Sequence, residues 1–307
     1  MGTTTIPLAA WSTVWRGLWQ KLAPRCGHRQ CARPHGLWRR VRNRPFGTRM
    51  HGVWYCMPEC LEHALTEVLR RARVAAAGAF APPHRIPLGL QLLSRQQLTA
   101  EQLRAALQAQ RVAGRGRIGE WLQTLGFATE QQVTAALARQ WACPVLQVEP
   151  APLQSGRLPV VPLSLLEACH MIPVDFVEAT STLHIAFGEG IDYGVLYALE
   201  QMLGCHTEAC LIRPSALRRS LRPLLEQRDP AEVVFDRVAD GAEFARIIRS
   251  YATRLAASEI RLVPCGPHIW IRLERPPLDA VNLLLRAPLE PTGAALAPWF
   301  PAVLPAV

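Results

Sequence analysis

Four of the nine cysteines lie in the first quarter of the sequence, where they form two close pairs. Cys26 and Cys31 make a C-x4-C pair, and Cys56 and Cys60 make a C-x3-C pair after 24 intervening residues. Two close pairs joined by a loop can present four thiolates to one tetrahedral zinc ion. The pattern therefore predicts a structural zinc site, with four reduced thiols or disulfides as the alternatives. Nothing near the pairs suggests an open catalytic position on the metal.

The second cysteine pair leads directly into an amphipathic helix predicted from Leu61 to Arg73, whose last turn carries arginines that favour a helix C-terminus. The passage W-Y-C-x-x-x-C from Trp54 resembles the small TRASH/MYM-type variants of the treble-clef zinc finger. The x4 and x3 spacings differ from the common x2 spacing. Four histidines are alternative ligands: His28, His35, His51 and His63.

The basic charge of the protein belongs to the same N-terminal quarter. Residues 1–80 hold 13 Lys and Arg against 3 Asp and Glu, whereas residues 81–307 hold 21 of each. The arginine-rich arm at 39–44 could bind phosphate backbones, and a solvated loop is the alternative reading. Because Lys21 is the only lysine, the preference for arginine is a trait of the whole composition. Arginine identity alone therefore indicates no nucleic-acid site.

The 307 residues are 50% hydrophobic and 19% charged, which predicts about two folded domains and excludes global disorder. No stretch reaches the roughly 18–20 apolar residues that a membrane-spanning helix needs. Arg16 interrupts the first apolar segment, and no basic region precedes it, so no signal peptide is expected. These features predict a soluble, cytosolic protein.

An internal repeat with an offset of 30 residues follows an Ala-, Gly- and Pro-rich linker at 73–87. Each unit is predicted to form a short helix, a turn and a second helix, which begins after Thr99 or Thr129 as N-cap. Apolar residues spaced four apart give each second helix one buried face. The superposed pairs are Leu88/Ile118, Gly89/Gly119, Leu92/Leu122, Leu103/Val133, Leu107/Leu137 and Gln110/Gln140.

The second unit reads R-I-G-E-W-L-Q-T-L-G from Arg117 to Gly126. In tandem, this pattern resembles the N-terminal domain of the type II secretion and type IV pilus assembly ATPases, called GspE-N or MshEN. In that family the tandem motif is a receptor for cyclic di-GMP. The resemblance covers roughly residues 85–227, and it implies ten nucleotide-binding positions: Arg117, Gly119, Leu122, Gly126, Leu137 and Gln140 in the second unit, with Gly89, Leu92, Leu107 and Gln110 in the first.

The chemistry of these residue types suits a cyclic dinucleotide. An arginine can fork onto guanine or stack on its face, and a glycine lets backbone N–H groups approach a phosphate. The first unit departs from the motif, because Pro87 and Gln96 occupy its arginine and second glycine positions. Arg85 lies two residues early and could substitute. Retained nucleotide binding and a purely helical scaffold both remain open.

Further along the chain, the sequence predicts an α/β segment, a polar linker at 229–240 and a helix with two strands. The helix and the alternating strands resemble the opening of the secretion-ATPase N2 domain, although Arg261 and Val263 replace its His and Glu. The predicted strands are 183–187, 209–213, 258–264 and 268–273, and the predicted helices are 195–203, 214–225 and 242–255.

Catalytic motifs are absent from the sequence. It contains no G-x-x-x-x-G-K-[ST], and a P-loop needs that lysine to reach the phosphates of ATP. Cys169 and His170 are adjacent, but no orienting partner or oxyanion signature accompanies them. We therefore expect that this protein is not an enzyme.

Together these patterns predict an α+β protein: a small zinc-finger-like module, a tandem helical repeat followed by a small α/β domain, and a partial N2-like helix-hairpin. The predicted segments are 1–78 (basic zinc module), 79–228 (GspE-N/MshEN-like domain), 241–285 (N2-like segment) and 286–307 (irregular tail). The resemblance implies a regulatory or adaptor protein of a secretion or pilus system, whose partners are an inner-membrane platform protein or a motor ATPase. The alternative is a cyclic di-GMP-sensing nucleic-acid-binding protein acting through the basic zinc module.

Overall fold

The computed structural model describes residues 26–31, 47–76, 85–147, 161–226, 231–236, 238, 240–276 and 278–286. The arm at 39–44, His35 and all of the predicted tail beyond Arg286 lie outside these described residues. The chain forms two compact units. The first unit takes in the chain up to Ala75, Ala231–Leu262 and Ile269–Arg286, and the second takes in Ala76–Pro230 and Val263–His268.

The first unit combines a mixed six-stranded sheet with two long helices. The strands lie in the order β2-β1-β7-β8-β9-β6. Its elements are β1 (Thr48–Met50), β2 (Val53–Tyr55), α1 (Pro58–Ala76), β6 (Glu232–Phe235), α9 (Gly241–Leu255), β7 (Glu259–Cys265), β8 (His268–Arg275) and β9 (Leu278–Arg286).

The cysteine-bearing segment joins this sheet through β1, which pairs in parallel with β7. The buried Thr48 hydroxyl donates to the carbonyl of Ala257 at 2.8 Å, and the Arg49 amide donates to the carbonyl of Ser258 at 2.9 Å. An ion pair of 3.1 Å between Arg249 on α9 and Glu62 on α1 links the two helices. The zinc-finger-like segment and the N2-like segment therefore share one sheet.

The segment predicted as a polar linker, 229–240, contains a strand, so that prediction is wrong for Glu232–Phe235. This strand, β6, pairs in parallel with β9, a third strand that follows the predicted hairpin. Phe235 packs edge-on against Phe244, with ring centroids 5.6 Å apart. Tertiary pairing and aromatic packing thus outweigh the acidic flanks of the segment, which look like a linker in isolation.

The second unit consists of a helical repeat followed by a small α/β subdomain. Its elements are α2 (Leu88–Ser94), α3 (Ala100–Ala113), α4 (Ile118–Thr124), α5 (Glu130–Trp141), α6 (Leu163–Ala168), β3 (Met171–Val177), β4 (Thr182–Phe187), α7 (Tyr193–Leu203), β5 (His206–Leu211) and α8 (Pro214–Leu225). The predicted α+β class is confirmed. Among the described residues, no helix is both long and apolar enough to cross a lipid bilayer.

The two repeat units have matching helix starts. Helices α2 and α4 are each seven residues long, and both begin at the positions that the 30-residue offset superposes. Thr99 and Thr129 both form capping boxes, in which the threonine side chain accepts from the amide of Gln102 or Gln132. The predicted N-caps are therefore confirmed.

The repeat encloses one apolar core that draws on both units. Leu92 and Leu122 are both fully buried in it. The motif glycines are buried there too: an added Cβ at Gly89 would lie 2.6 Å from Cδ1 of Leu103, and one at Gly119 would lie 3.0 Å from Cγ1 of Val133, both too close for a side chain. The space left by the missing Cβ atoms is filled by the second helix of the same unit, so these glycines allow the helices to approach closely.

The α/β subdomain is a three-stranded sheet in the order β3-β4-β5. Strand β4 pairs antiparallel with β3 and parallel with β5. Helix α7 makes the connection between β4 and β5, and it begins where the Asp192 carboxylate accepts from the amides of Gly194 and Val195. Val145 adds a single parallel bridge to β5 at Leu211. The subdomain thereby continues directly from the end of α5.

The shared core predicts that both units are needed for stability. Replacing Leu122 or Leu92 by alanine should each lower the free energy of unfolding by about 2–5 kcal/mol, because each removes a fully buried leucine and leaves a cavity. Urea unfolding monitored by circular dichroism would measure the change. Val112→Ala is the control, since Val112 is 79% exposed on α3 and its truncation should cost little. A negligible effect of Leu92→Ala would contradict a core common to both units.

Candidate functional site

The four cysteines predicted as metal ligands come together in the compact unit that contains the six-stranded sheet. The sulfur atoms of Cys26, Cys31, Cys56 and Cys60 all lie within 4.8 Å of one another. The Cys31 and Cys56 sulfurs are 3.4 Å apart, and the Cys60 and Cys31 sulfurs are 3.8 Å apart. All nine cysteines of the chain are free thiols, so the disulfide alternative does not describe this structure.

The geometry of the cluster fits a tetrahedral metal ion. Four sulfurs placed about 2.3 Å from a central zinc ion would lie about 3.8 Å from one another. The observed separations of 3.4 and 3.8 Å match that arrangement, whereas a disulfide needs sulfurs about 2.05 Å apart. The cluster could therefore hold a metal ion with little rearrangement.

Local structure holds each pair of cysteines in place. Cys56 follows β2 directly, and Cys60 lies in the first turn of α1. The first pair is attached to β2 because the Gly27 amide donates to the carbonyl of Trp54 at 2.9 Å. Cys56 and Cys60 are buried, while Cys26 and Cys31 are half-buried. One wall of the site is thus a strand and a helix end, and the other is a turn.

Without a cation, the cluster disfavours thiolates. Burial and the neighbouring thiols raise the pKa of Cys60 to about 12, and burial is the larger cause. The pKa of Cys56 is raised for the same reasons. A divalent cation at the centre would reverse this electrostatic balance and stabilise the thiolates.

Two of the four alternative histidine ligands lie beside the cluster without joining it. The rings of His28 and His63 stack almost in parallel, with centroids 5.0 Å apart. The group of side chains close enough to hold a metal in the described part of the chain contains only the four cysteines. His51 occupies the turn between β1 and β2, and burial is the main cause that lowers its pKa.

The second site lies in the helical repeat, where the motif glutamines link the two repeat units by hydrogen bonds. Gln110 of the first unit donates from Nε2 to the carbonyl of Gly116 at 2.8 Å. Gln140 of the second unit donates to the carbonyl of Ile86 at 2.7 Å. Residues 86 and 116 are equivalent under the 30-residue offset, so the exchange is reciprocal. Each glutamine therefore holds the segment that leads into the first helix of the other unit.

Arg117, which lies immediately before α4, is mostly exposed and makes an ion pair. Its Nη1 atom lies 3.0 Å from a carboxylate oxygen of Glu189 and donates to the Glu189 carbonyl at 3.2 Å. The other carboxylate oxygen of Glu189 is 3.7 Å from Nδ1 of His170. The arginine is therefore directed towards the 188–190 turn that follows β4.

The remaining motif positions differ in exposure. Leu137 packs against the repeat core, whereas its counterpart Leu107 is 36% exposed. Gly126 has φ = +72°, and Gln96, which replaces glycine in the first unit, keeps the left-handed conformation with φ = +56°. The first unit thus retains the backbone turn of the motif although it has lost the glycine.

Two residues that contact the candidate arginines are not predicted from the sequence: Glu189, the partner of Arg117, and Trp141. Nothing in the sequence marks Glu189 as the partner of an arginine 72 positions earlier. The guanidinium carbon of Arg85 lies 3.2 Å from the centroid of a Trp141 ring, and Trp141 also contacts Tyr193. Such contacts depend on segments that only folding brings together.

A cavity of about 460 Å³ opens beside Trp141, between the end of α5, helix α7 and strand β5. Exposed Tyr193 and Tyr197 form part of its wall. Cys143 and Cys210 also line it, and burial is the main cause that raises the pKa of Cys210 to about 11. Burial therefore disfavours the thiolate form of Cys210.

No protein-family model matches the sequence, and no curated protein matches it either. Among solved structures, MshE with cdg is 27% identical, with a TM-score of 0.39, and the match covers 45% of this chain and 99% of that chain. The N-terminal domain of XpsE is similar in two crystal forms. The first is 19% identical with a TM-score of 0.34, and the match covers 44% of this chain and 91% of that chain. The second is 21% identical with a TM-score of 0.28, and the match covers 43% of this chain and 89% of that chain. Part of this chain is therefore similar to the N-terminal domains of MshE and XpsE.

Proposed function

We propose that this chain is a non-catalytic regulatory or adaptor protein of a type II secretion or type IV pilus system. Its tandem repeat binds cyclic di-GMP, and its output is a contact with another component of that system. The observation that carries the proposal is the reciprocal pair of glutamine bonds between two units that match a cyclic di-GMP motif. A ligand with two equivalent halves suits two units related in this way.

The surroundings of Arg117 support a ligand role. The side chain is 65% exposed, and its ion pair with Glu189 is therefore solvated and cheap to exchange for a phosphate or a guanine. A guanidinium in this position can offer two parallel N–H donors to O6 and N7 of guanine. Leu107, which is exposed although it lies on an amphipathic helix, gives apolar surface for a base to pack on.

The adaptor role follows from what the motifs lack. The 307 residues contain no P-loop lysine, so ATP hydrolysis would have to come from a partner. The family that the repeat resembles contacts the cytoplasmic part of inner-membrane platform proteins. We therefore infer a location in the cytoplasm, at the inner face of the inner membrane, through a platform protein or a motor ATPase.

We further infer that the metal of the four-cysteine cluster is zinc, with a structural role. Four thiolates in a tetrahedral arrangement are typical of structural zinc, and none of the four positions is left for a substrate. Zinc would supply the folding energy that the two three-residue strands and one helix of this segment lack.

Titration of the purified protein with cyclic di-GMP tests the ligand. We expect saturable binding by isothermal titration calorimetry, and we expect Arg117→Ala to weaken it by at least about tenfold, because a bidentate contact is worth about 1–3 kcal/mol. Arg218→Ala is the matched control, since Arg218 is an exposed arginine on α8 and the substitution should leave affinity unchanged. Equal affinity of the Arg117→Ala and wild-type proteins would refute the proposed site.

Metal analysis of the purified protein tests the zinc site. One zinc per chain is expected by inductively coupled plasma mass spectrometry, and Cys56→Ser should lose it, because a hydroxyl is a poor replacement for one of four thiolates. Cys210→Ser is the control, because Cys210 lies outside the cluster and its loss should leave the zinc content at one. Zinc retained by Cys56→Ser at full occupancy would argue against the assignment.

Binding to a platform protein tests the output. The cytoplasmic fragment of a platform protein, immobilised on a biosensor, should bind the full chain, and added cyclic di-GMP should change the affinity if the repeat regulates the contact. The Arg117→Ala variant should bind the platform fragment but no longer respond to the nucleotide. Failure to bind platform fragments and motor ATPases alike would remove the adaptor role and leave the nucleotide site standing.

A further inference from the structure

Arg85 lies just before the first repeat unit, and its side chain is held in an uncommon way. Its guanidinium lies flat against Trp141, with the central carbon 3.2 Å from a ring centroid. The Nη1 atom is fully buried and has no hydrogen-bond partner among the described residues. A buried guanidinium N–H without an acceptor is costly, and a shift of the side chain that brought Nη1 to a ligand oxygen would relieve that cost.

Trp141 connects Arg85 to the turn that Arg117 contacts. The indole packs against Gly190, where an added Cβ would lie 3.1 Å from a ring carbon of Trp141. Arg117 contacts Glu189, the preceding residue. Trp141 therefore lies between Arg85 of the first repeat unit and the turn that Arg117 of the second repeat unit contacts, although Arg85 lies two residues before the position that the motif reserves for arginine.

The bond from Gln140 to the carbonyl of Ile86 fixes the segment that carries Arg85. Pro87 follows at once and begins the entry to α2, where its ring takes the place of the motif arginine. The guanidinium of Arg85 is held against Trp141, which itself packs on Gly190 of the turn. The other face of the guanidinium can stack on a base, a mode in which arginine resembles an aromatic ring.

We propose that Arg85, stacked on Trp141, supplies the guanidinium that Pro87 cannot provide and contacts one half of cyclic di-GMP while Arg117 contacts the other. This inference rests on the proposed function, because it names a further residue of the same ligand site. The first repeat unit, although its motif is incomplete, then forms half of the ligand site, with its arginine two residues before the motif position.

Calorimetric titration of the full chain with cyclic di-GMP tests the proposal. Arg85→Ala should weaken binding by at least about tenfold, and Arg85→Lys should weaken it too, since lysine has neither the planar stacking face nor the fork. Arg218→Ala should bind like the wild type. Thermal unfolding of each variant separates loss of a contact from loss of the fold, and Arg85→Lys, which keeps the charge, decides the matter if Arg85→Ala is unstable.

The outcomes distinguish the two proposals. If the wild-type protein binds and Arg117→Ala does not, but the folded Arg85 variants keep wild-type affinity, the role of Arg85 is wrong and the ligand function stands. If the wild-type protein does not bind cyclic di-GMP at high micromolar concentration, the ligand function fails, and the role of Arg85 fails with it. Trp141→Ala should reproduce the loss seen for Arg85→Ala, because the indole supports the guanidinium.

Discussion

The helical repeat depends on one constraint, which is that its two seven-residue helices cannot bury enough apolar surface to be stable alone. Helices this short are marginal in water, and α2 and α4 persist because their leucines enter a core common to both units. The reciprocal bonds from Gln110 and Gln140 add a polar link at both ends of that core. The two repeat units therefore depend on each other for stability, and a substitution in the core of one should destabilise the other.

This coupling explains how the repeat can lose motif residues and keep its shape. Gln96 adopts the left-handed conformation that glycine takes more readily, and backbone bonds hold the turn, from the Gln96 amide to the Leu93 carbonyl at 2.9 Å and from the Gln97 amide to the Leu92 carbonyl at 3.0 Å. The motif glycines that remain, Gly89 and Gly119, admit the side chains of the facing helices. Helix packing and nucleotide binding both favour glycine at these positions, so the glycines alone do not distinguish a helical scaffold from a ligand site.

In the compact unit that contains the six-stranded sheet, the four-cysteine cluster and the sheet are joined directly. The segment from Cys56 to Cys60 joins β2 to α1, and β1 adds to the edge of β7. Strands of three residues have little stability of their own, so the four-cysteine cluster and the parallel pairing with β7 each supply what the segment lacks.

The sequence alone determined the elements whose signals are local. The 3.6-residue periodicity, the threonine caps and the paired cysteines predicted the repeat helices, their starts at Thr99 and Thr129, and the four residues of the cluster. The tertiary structure decided that 232–235 is a strand, that the cysteine segment joins the sheet of β7, β8 and β9, and that Arg117 meets Glu189. These features depend on contacts between residues far apart in the chain, and a long-range contact leaves no periodic pattern in either of the segments that make it.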